Sequence, residues 1–220
     1  MRILVAPDKF KGSFSGEQVA ERIAAGLKSV LPQAEIEIAP VADGGEGTAD
    51  ILSRALGGEQ VECEACDALG RKIRGRYDWV SDSATAIMEM SAVSGLATLS
   101  PNERNPRRAS TFGVGQMLRD ATTRGAHEVI LGLGGSATND GGSGMARALG
   151  FRFLDENDTE ISAAEELQNL ARIESPNELR LPAIRAATDV RNPLLGPDGA
   201  THTFARQKGA TPADVEILEK

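Results

Sequence analysis

Arg2-Ile3-Leu4-Val5-Ala6-Pro7-Asp8 decides the class of the fold. A short apolar run at the start of a chain, ended by Pro7 and Asp8, reads as a buried strand. A polar loop, Lys9 to Gly16, follows it. From Glu17 the apolar residues Val19, Ile23, Leu27 and Val30 fall on one helical face. Ser15 is placed to cap that helix, and Pro32 bars its continuation. Glu35 to Ala39 alternates polar and apolar, as a half-exposed strand does. Val41 to Thr48 is a glycine-dense loop, and Thr48 to Leu56 is a helix stopped by Gly57-Gly58. Residues 2–58 therefore predict β-loop-α-β-loop-α, the pattern of a doubly wound α/β unit.

Beyond residue 60 the texture changes. Val61 to Val80 is strand-like and expected to break at Gly70 and Gly75, and Ala84 to Met90 is another strand, with Glu89 at its end. Ser100 to Ser110 reads as a loop in which Arg104, Arg107 and Arg108 are solvated. Phe112 to Arg124 reads as a helix. Glu128 to Leu131 is a strand feeding the largest glycine cluster, Gly132 to Gly144. Helix Met145–Leu149 and strand Phe151–Leu154 come next. Residues 155–183 are acidic and without clear period. Ile184 to Thr188 is a last strand, and Ala213 to Lys220 reads as the first turns of a helix.

Composition narrows the function. The 220 residues carry 24 Lys and Arg against 32 Asp and Glu, a net charge of −8, which argues against a global basic field for nucleic acid. Aromatic residues are only 4%, too few for base-stacking platforms. No apolar run reaches the ~20 residues of a membrane span, and the first residues turn polar too soon for a signal peptide. These features predict a cytoplasmic protein. Two cysteines imply no disulfide framework. Cys63 and Cys66 form a C-x-x-C in a strand-like run, where they point to opposite faces, so zinc is not expected. With two histidines, His127 and His202, acid–base chemistry falls to carboxylates and lysines.

Four constellations can carry chemistry. The first is Gly132-Leu133-Gly134-Gly135-Ser136-Ala137-Thr138-Asn139-Asp140-Gly141-Gly142-Ser143-Gly144, between a strand and a helix. Glycines let backbone N–H groups approach anionic oxygens, and the hydroxyls add donors. Asp140 is suited to hold magnesium or to cap the helix. Gly132, Gly134 and Ala137 also match a dinucleotide fingerprint, with Asp155 in place for a ribose, so a nicotinamide-dependent oxidoreductase is one alternative. The second is Asp8-Lys9-Phe10-Lys11-Gly12-Ser13, cations at a strand's carboxyl end. The third is Asp43-Gly44-Gly45-Glu46-Gly47-Thr48, where Asp43 and Glu46 suit Mg²⁺ or a substrate hydroxyl. The fourth is Thr188-Asp189-Val190-Arg191-Asn192-Pro193-Leu194. Phe204 to Ala210 adds the cations Arg206 and Lys208. Cations, carboxylates and glycine loops with almost no His or Cys suit phosphoryl transfer. A non-catalytic phospholigand-binding protein is a second alternative.

These motifs, with Ala6 and Pro7 ahead of the second and Pro40 to Ala42 ahead of the third, resemble the bacterial glycerate kinase family of the type-1 class, in order, from residue 1 to about residue 210. The resemblance implies ATP-dependent phosphorylation of D-glycerate with Mg²⁺, giving 2-phosphoglycerate rather than 3-phosphoglycerate. It implies a Rossmann-like (flavodoxin-like) parallel sheet plus a second mixed α/β domain, with the active site in the cleft between them. Residues 1–60 would be the first piece of the Rossmann-like domain and 61–220 the second domain. Family chains are longer, so this one would be an N-terminal part, and the missing segment would complete a domain. In this frame Asp43 or Asp189 is base or metal ligand, with Glu46 a second ligand. Lys9 and Lys11 neutralise phosphoryl charge, and Ser13 binds substrate. Gly134, Gly135, Ser136, Thr138, Asn139, Gly141 and Gly142 cradle phosphate, and Arg191 takes the glycerate carboxylate.

Overall fold

The computed structural model describes residues 1–10 and 13–220. Strand β1 (Arg2–Val5) leads into helix α1 (Gly16–Val30), strand β2 (Glu35–Ile38) and helix α2 (Thr48–Leu56). β1 and β2 pair in parallel. Ser15 caps α1 in a reciprocal box with Gln18, and left-handed Gly57 ends α2. β1 is not the buried strand its apolar run predicts. Leu4 is 62% exposed, because it shares a face with Arg2, Glu35 and Glu37 that nothing covers among the described residues.

Strands β3 (Glu59–Cys66) and β4 (Lys72–Val80) form an antiparallel hairpin turned by Gly70, followed by β5 (Thr85–Glu89) and the short helix α3 (Ser91–Ser94). Gly75 does not break the strand as expected. It sits within β4, where an added Cβ would come 2.9 Å from the Ala65 methyl and 3.1 Å from Val93, so the glycine admits tight packing. Helix α4 (Phe112–Thr123), strand β6 (Glu128–Gly132), helix α5 (Ser143–Ala148), the antiparallel pair β7 (Arg152–Leu154) and β8 (Arg172–Glu174), strand β9 (Ala183–Ala187) and helices α6 (Ala200–Phe204) and α7 (Pro212–Leu218) complete the chain.

The five-stranded sheet runs β3-β4-β5-β6-β9 and is mixed: β3, β4 and β5 are antiparallel neighbours, while β5, β6 and β9 are parallel. Helix α4 lies across it and buries Val114, Met117, Leu118 and Ala121 against Tyr77, Ala86, Met88 and Val129. Each large side chain so buried contributes about 1.5–3 kcal/mol. The α4 face is interrupted by Gly113 and Gly115 because backbone lies against it. A Cβ at Gly113 would strike the Cys66 carbonyl, and one at Gly115 would lie 2.7 Å from the Ala148 methyl of α5.

The arginines of the 100–110 segment are not simply solvated. Arg107 bridges Glu165 and Asp214, and Arg108 also meets Glu165, so one loop fastens the α7 end of the chain to residues 164–169. Arg104 makes no such pair among the described residues. Cys63 is buried and Cys66 half-buried, as opposite-facing positions of a strand require.

Candidate functional site

In open parallel sheets, ligands bind beyond the carboxyl ends of the strands. Here β1, β2, β5, β6 and β9 all direct those ends to one cavity of about 1610 Å³. That exceeds the ~300–1,000 Å³ of a single small-molecule pocket and leaves room for two ligands.

Three loops are fused at its floor. Gly44 has φ +87°, and a Cβ there would lie 2.6 Å from the Ala187 carbonyl carbon. The Gly134 N–H donates to the Gly44 carbonyl at 3.1 Å, and the Leu133 N–H donates to that of Ala187 at 3.1 Å. A Cβ at Gly134 would lie 2.6 Å from the Gly45 Cα. The glycines of the first and third motifs are therefore needed so that backbones can touch. The loops after β2, β6 and β9 meet although they are far apart in sequence.

Lys9, after β1, donates from Nζ to Asp43 Oδ1 at 2.9 Å, and the Gly45 N–H donates to the same oxygen at 2.8 Å. The Lys9 hydrogen bond, then that of Gly45, hold the Asp43 carboxyl below its usual range. Burial works against the Lys9 charge, but the bond to Asp43 and the charges of Asp43, Asp8 and Glu89 outweigh it, leaving the ammonium above its ordinary value. The pair stays ionised at neutral pH.

Glu89, at the end of β5, was noted in the sequence but given no role. It accepts the Ala49 N–H of α2 at 2.8 Å and the Ser91 hydroxyl at 2.9 Å. Burial pushes its carboxyl up, against these bonds. It joins the start of α2 to the cavity wall.

The expected site residues divide by position. Lys9, Ser13, Asp43, Glu46, Gly134, Gly135, Ser136 and Asp189 line the cavity. Lys11 lies outside the described residues. Arg191 is exposed and does not line it. Neither do Thr138, Asn139, Gly141 and Gly142. Thr138 is buried, with its carbonyl accepting from Lys208 at 2.5 Å, and the Asn139 amide donates to Thr201 at 3.1 Å. Gly141 and Gly142 turn the chain with positive φ into α5.

Asp140 belongs to this structural half of the loop. It is buried and accepts from the Thr111 N–H at 2.8 Å, the Thr111 hydroxyl at 2.9 Å, Gly142 N–H at 3.1 Å and Gly144 N–H at 3.2 Å. The Thr111 hydroxyl in turn accepts the Met145 N–H at 2.8 Å. One carboxylate thus joins the starts of α4 and α5, and of the two roles open to it from sequence the capping one is what the geometry displays. Replacing Asp140 by Ala strands four donors, each worth about 1–3 kcal/mol when left unpaired and partly recovered by relaxation, so a loss of about 3–5 kcal/mol is expected. Urea unfolding of the full-length variant checks it, and a loss under ~1 kcal/mol would contradict this role.

Asp155, the ribose acid of the nicotinamide alternative, is taken up by its own turn. It accepts the Asn157 and Thr159 N–H groups, both at 2.8 Å, and does not line the cavity.

Sequence reasoning gave no site role to Arg76 and Asp78 of β4, Arg104, or Lys208, all on the cavity wall. Lys208 had a signal, since it sits in a cationic stretch, but nothing in the sequence tied it to the glycine loop.

Comparison with known proteins follows the same lines. The model of the glycerate kinase family matches residues 3–220. A glycerate kinase of Bacillus subtilis is 43% identical over the whole of this chain, which spans 59% of that protein. The glycerate 2-kinase of Escherichia coli is 39% identical over the whole chain and 58% of its own length. A crystal structure assigned as a glycerate kinase 2 from Salmonella typhimurium LT2 superposes with a TM-score of 0.85 at 39% identity, covering all of this chain and 60% of that one. The chain thus spans about three-fifths of the length of these relatives. On the match over nearly all its residues, the chain belongs to the glycerate kinase family.

Proposed function

We propose that the full-length protein is a glycerate kinase that transfers the terminal phosphoryl group of ATP to a hydroxyl of D-glycerate, forming 2-phosphoglycerate. The observation that carries this is the convergence of the Lys9–Asp43 pair and the Gly134–Ser136 loop on one cavity large enough for both substrates. Family membership gives the substrate class.

In the reaction the bond from the γ-phosphorus to the β,γ-bridging oxygen breaks, and a bond from that phosphorus to the glycerate oxygen forms. The leaving oxygen departs as ADP. Asp43 receives the hydroxyl proton, either itself or with Asp189 sharing the task. Lys9 holds Asp43 ionised and in place. Phosphoryl transfer passes through a loose transition state, so positioning and charge neutralisation contribute most.

Magnesium fits the donor set. Among the described residues no three carboxylates, imidazoles or thiols cluster as a cage. A magnesium ion bound with nucleotide phosphates needs only one or two carboxylates, and Asp43 and Glu46 both open on the cavity. When bound, it would neutralise charge on the phosphate oxygens.

The exposed Leu4 and Ile38, in a sheet of two strands among the described residues, support the further proposal that residues absent here extend the β1–β2 sheet into a Rossmann-like domain. Residues 61–220 would then form the second domain, with the cavity as the cleft. Among the described residues no helix is long and apolar enough to cross a membrane; the location proposed for this small-molecule enzyme is the cytoplasm.

A coupled ADP-release assay on the full-length protein with D-glycerate, L-glycerate and related hydroxy acids tests the assignment. ADP release that depends on D-glycerate is expected, with phosphorus NMR showing the 2-phospho product. Absence of ADP release with every acid would reject the kinase, and NAD(H) binding would point to the oxidoreductase instead.

A further inference from the structure

Lys208 follows α6 and reaches back across the chain to the glycine loop. Its Nζ donates to the Ser136 hydroxyl at 3.1 Å and to the Thr138 carbonyl at 2.5 Å. It has no carboxylate partner within ion-pair distance among the described residues. Its partners are neutral oxygens, so its charge is left uncompensated at the cavity wall.

Two more features meet it there. The carbonyls of Gly135 and Ser94 accept the N–H groups of Leu96 and Ala137, which fixes the loop's backbone against residues 94–96. The N–H groups of Gly135 and Ser136 themselves meet no protein acceptor among the described residues. Gly135 has φ +74°, the left-handed half of the paired conformation from which anion-binding nests are built. Arg104 lines the same cavity and has a buried Nε with no hydrogen-bond partner. Its carbonyl packs against Gly209, next to Lys208. Unpaired cations beside free amides form the inventory of a phosphate subsite.

We propose that Lys208, the Gly135 and Ser136 amides and Arg104 together grip the terminal phosphates of the nucleotide donor. This rests on the kinase reading of the cavity and gives Lys208, a cation that sequence analysis tied to no ligand, a place in it. The Lys9–Asp43 side is left for the acceptor hydroxyl. Lys208 also brings a titration. Desolvation lowers its pKa to about 8, and the charge of Asp140, across the loop, only partly restores it. Arg104, on the same wall, supplies the second cation of the proposed grip. The free enzyme therefore loses this positive charge as pH rises through about 8.

The test uses the full-length protein and three probes, ATP, inorganic tripolyphosphate and D-glycerate, each titrated alone by calorimetry. Lys208→Met is expected to weaken ATP and tripolyphosphate about 10–100-fold, the equivalent of losing a charged hydrogen bond, and to change D-glycerate affinity less than about twofold. Lys208→Arg, which keeps the charge, should restore most of the ATP affinity. The profile of kcat/KM for ATP should fall above pH about 8 in the wild type, and Lys208→Arg should push that limb upward. Unchanged ATP and tripolyphosphate binding in Lys208→Met overturns the proposal, as does a loss that falls on D-glycerate instead. If Lys208→Met does not fold, the alkaline limb decides: a limb that stays near pH 8 in Lys208→Arg overturns it. A wild type that binds tripolyphosphate through Lys208 yet releases no ADP with any hydroxy acid would reject the kinase assignment and keep the subsite.

Discussion

Asp43→Asn in the full-length protein is expected to lower kcat for glycerate phosphorylation by about 10²–10⁴-fold, the span of a lost general base. The carboxylate sits on the cavity, ionised, between the Lys9 ammonium at 2.9 Å and the Gly45 N–H at 2.8 Å. Asparagine keeps the size and one acceptor, so the loop can stay folded while the proton acceptor is gone. Equal falls in kcat and in kcat/KM for glycerate would place the loss in the transition state. Lys9→Met should also lower kcat, and the double variant should be far less impaired than the product of the two losses, because one residue acts by holding the other. Steady-state ADP release, with thermal unfolding to confirm that each variant is folded, measures all three. A fall in kcat of less than about threefold, ~0.7 kcal/mol, removes Asp43 from the chemistry.

Gly44→Ala is expected to be the most damaging small substitution in the loops. Its φ of +87° already disfavours a side chain, and the added methyl would press into the Ala187 carbonyl carbon at 2.6 Å. Left-handed strain and overpacking together give about 2–4 kcal/mol. Gly47→Ala is the matched control. Its φ is +91°, but nothing lies within 4 Å of the new atom, so only about 1 kcal/mol of backbone strain is expected. Urea unfolding of the two full-length variants separates strain from collision. Equal losses would mean that the loops after β2 and β9 are not fused as described. Activity should follow stability at Gly44, since its carbonyl accepts the Gly134 N–H and its neighbour is Asp43.

Local signals in the sequence carried most of the elements. The α1 period with its Ser15 cap, the glycine stop of α2 and the strand–loop–helix around Gly132 all depend on near neighbours, and all appear where expected. Burial was less legible. An apolar strand such as β1 looks buried from its composition, but exposure depends on what covers each face of its sheet, a matter of tertiary arrangement. Gly75 shows the same gap, since a glycine that breaks a strand and one that admits a neighbour read alike. At the site, glycines and carboxylates identified the loops. Which half of the Gly132–Gly144 loop faces the cavity was not legible, because Asp140 is claimed by Thr111, 29 residues earlier, and Ser136 by Lys208, 72 residues later. The short helices α3 and α6 and the strand β8 escaped notice because they are too brief to show a period.

The four donors gathered by Asp140 make the cavity wall depend on chain that never reaches the cavity. Ser136 lies only a few residues from that carboxylate, yet the turn between them is framed by Thr111, which docks on Asp140 and takes the Met145 N–H on its own hydroxyl. The shape of the glycine loop is thus written partly at residue 111, far from any ligand.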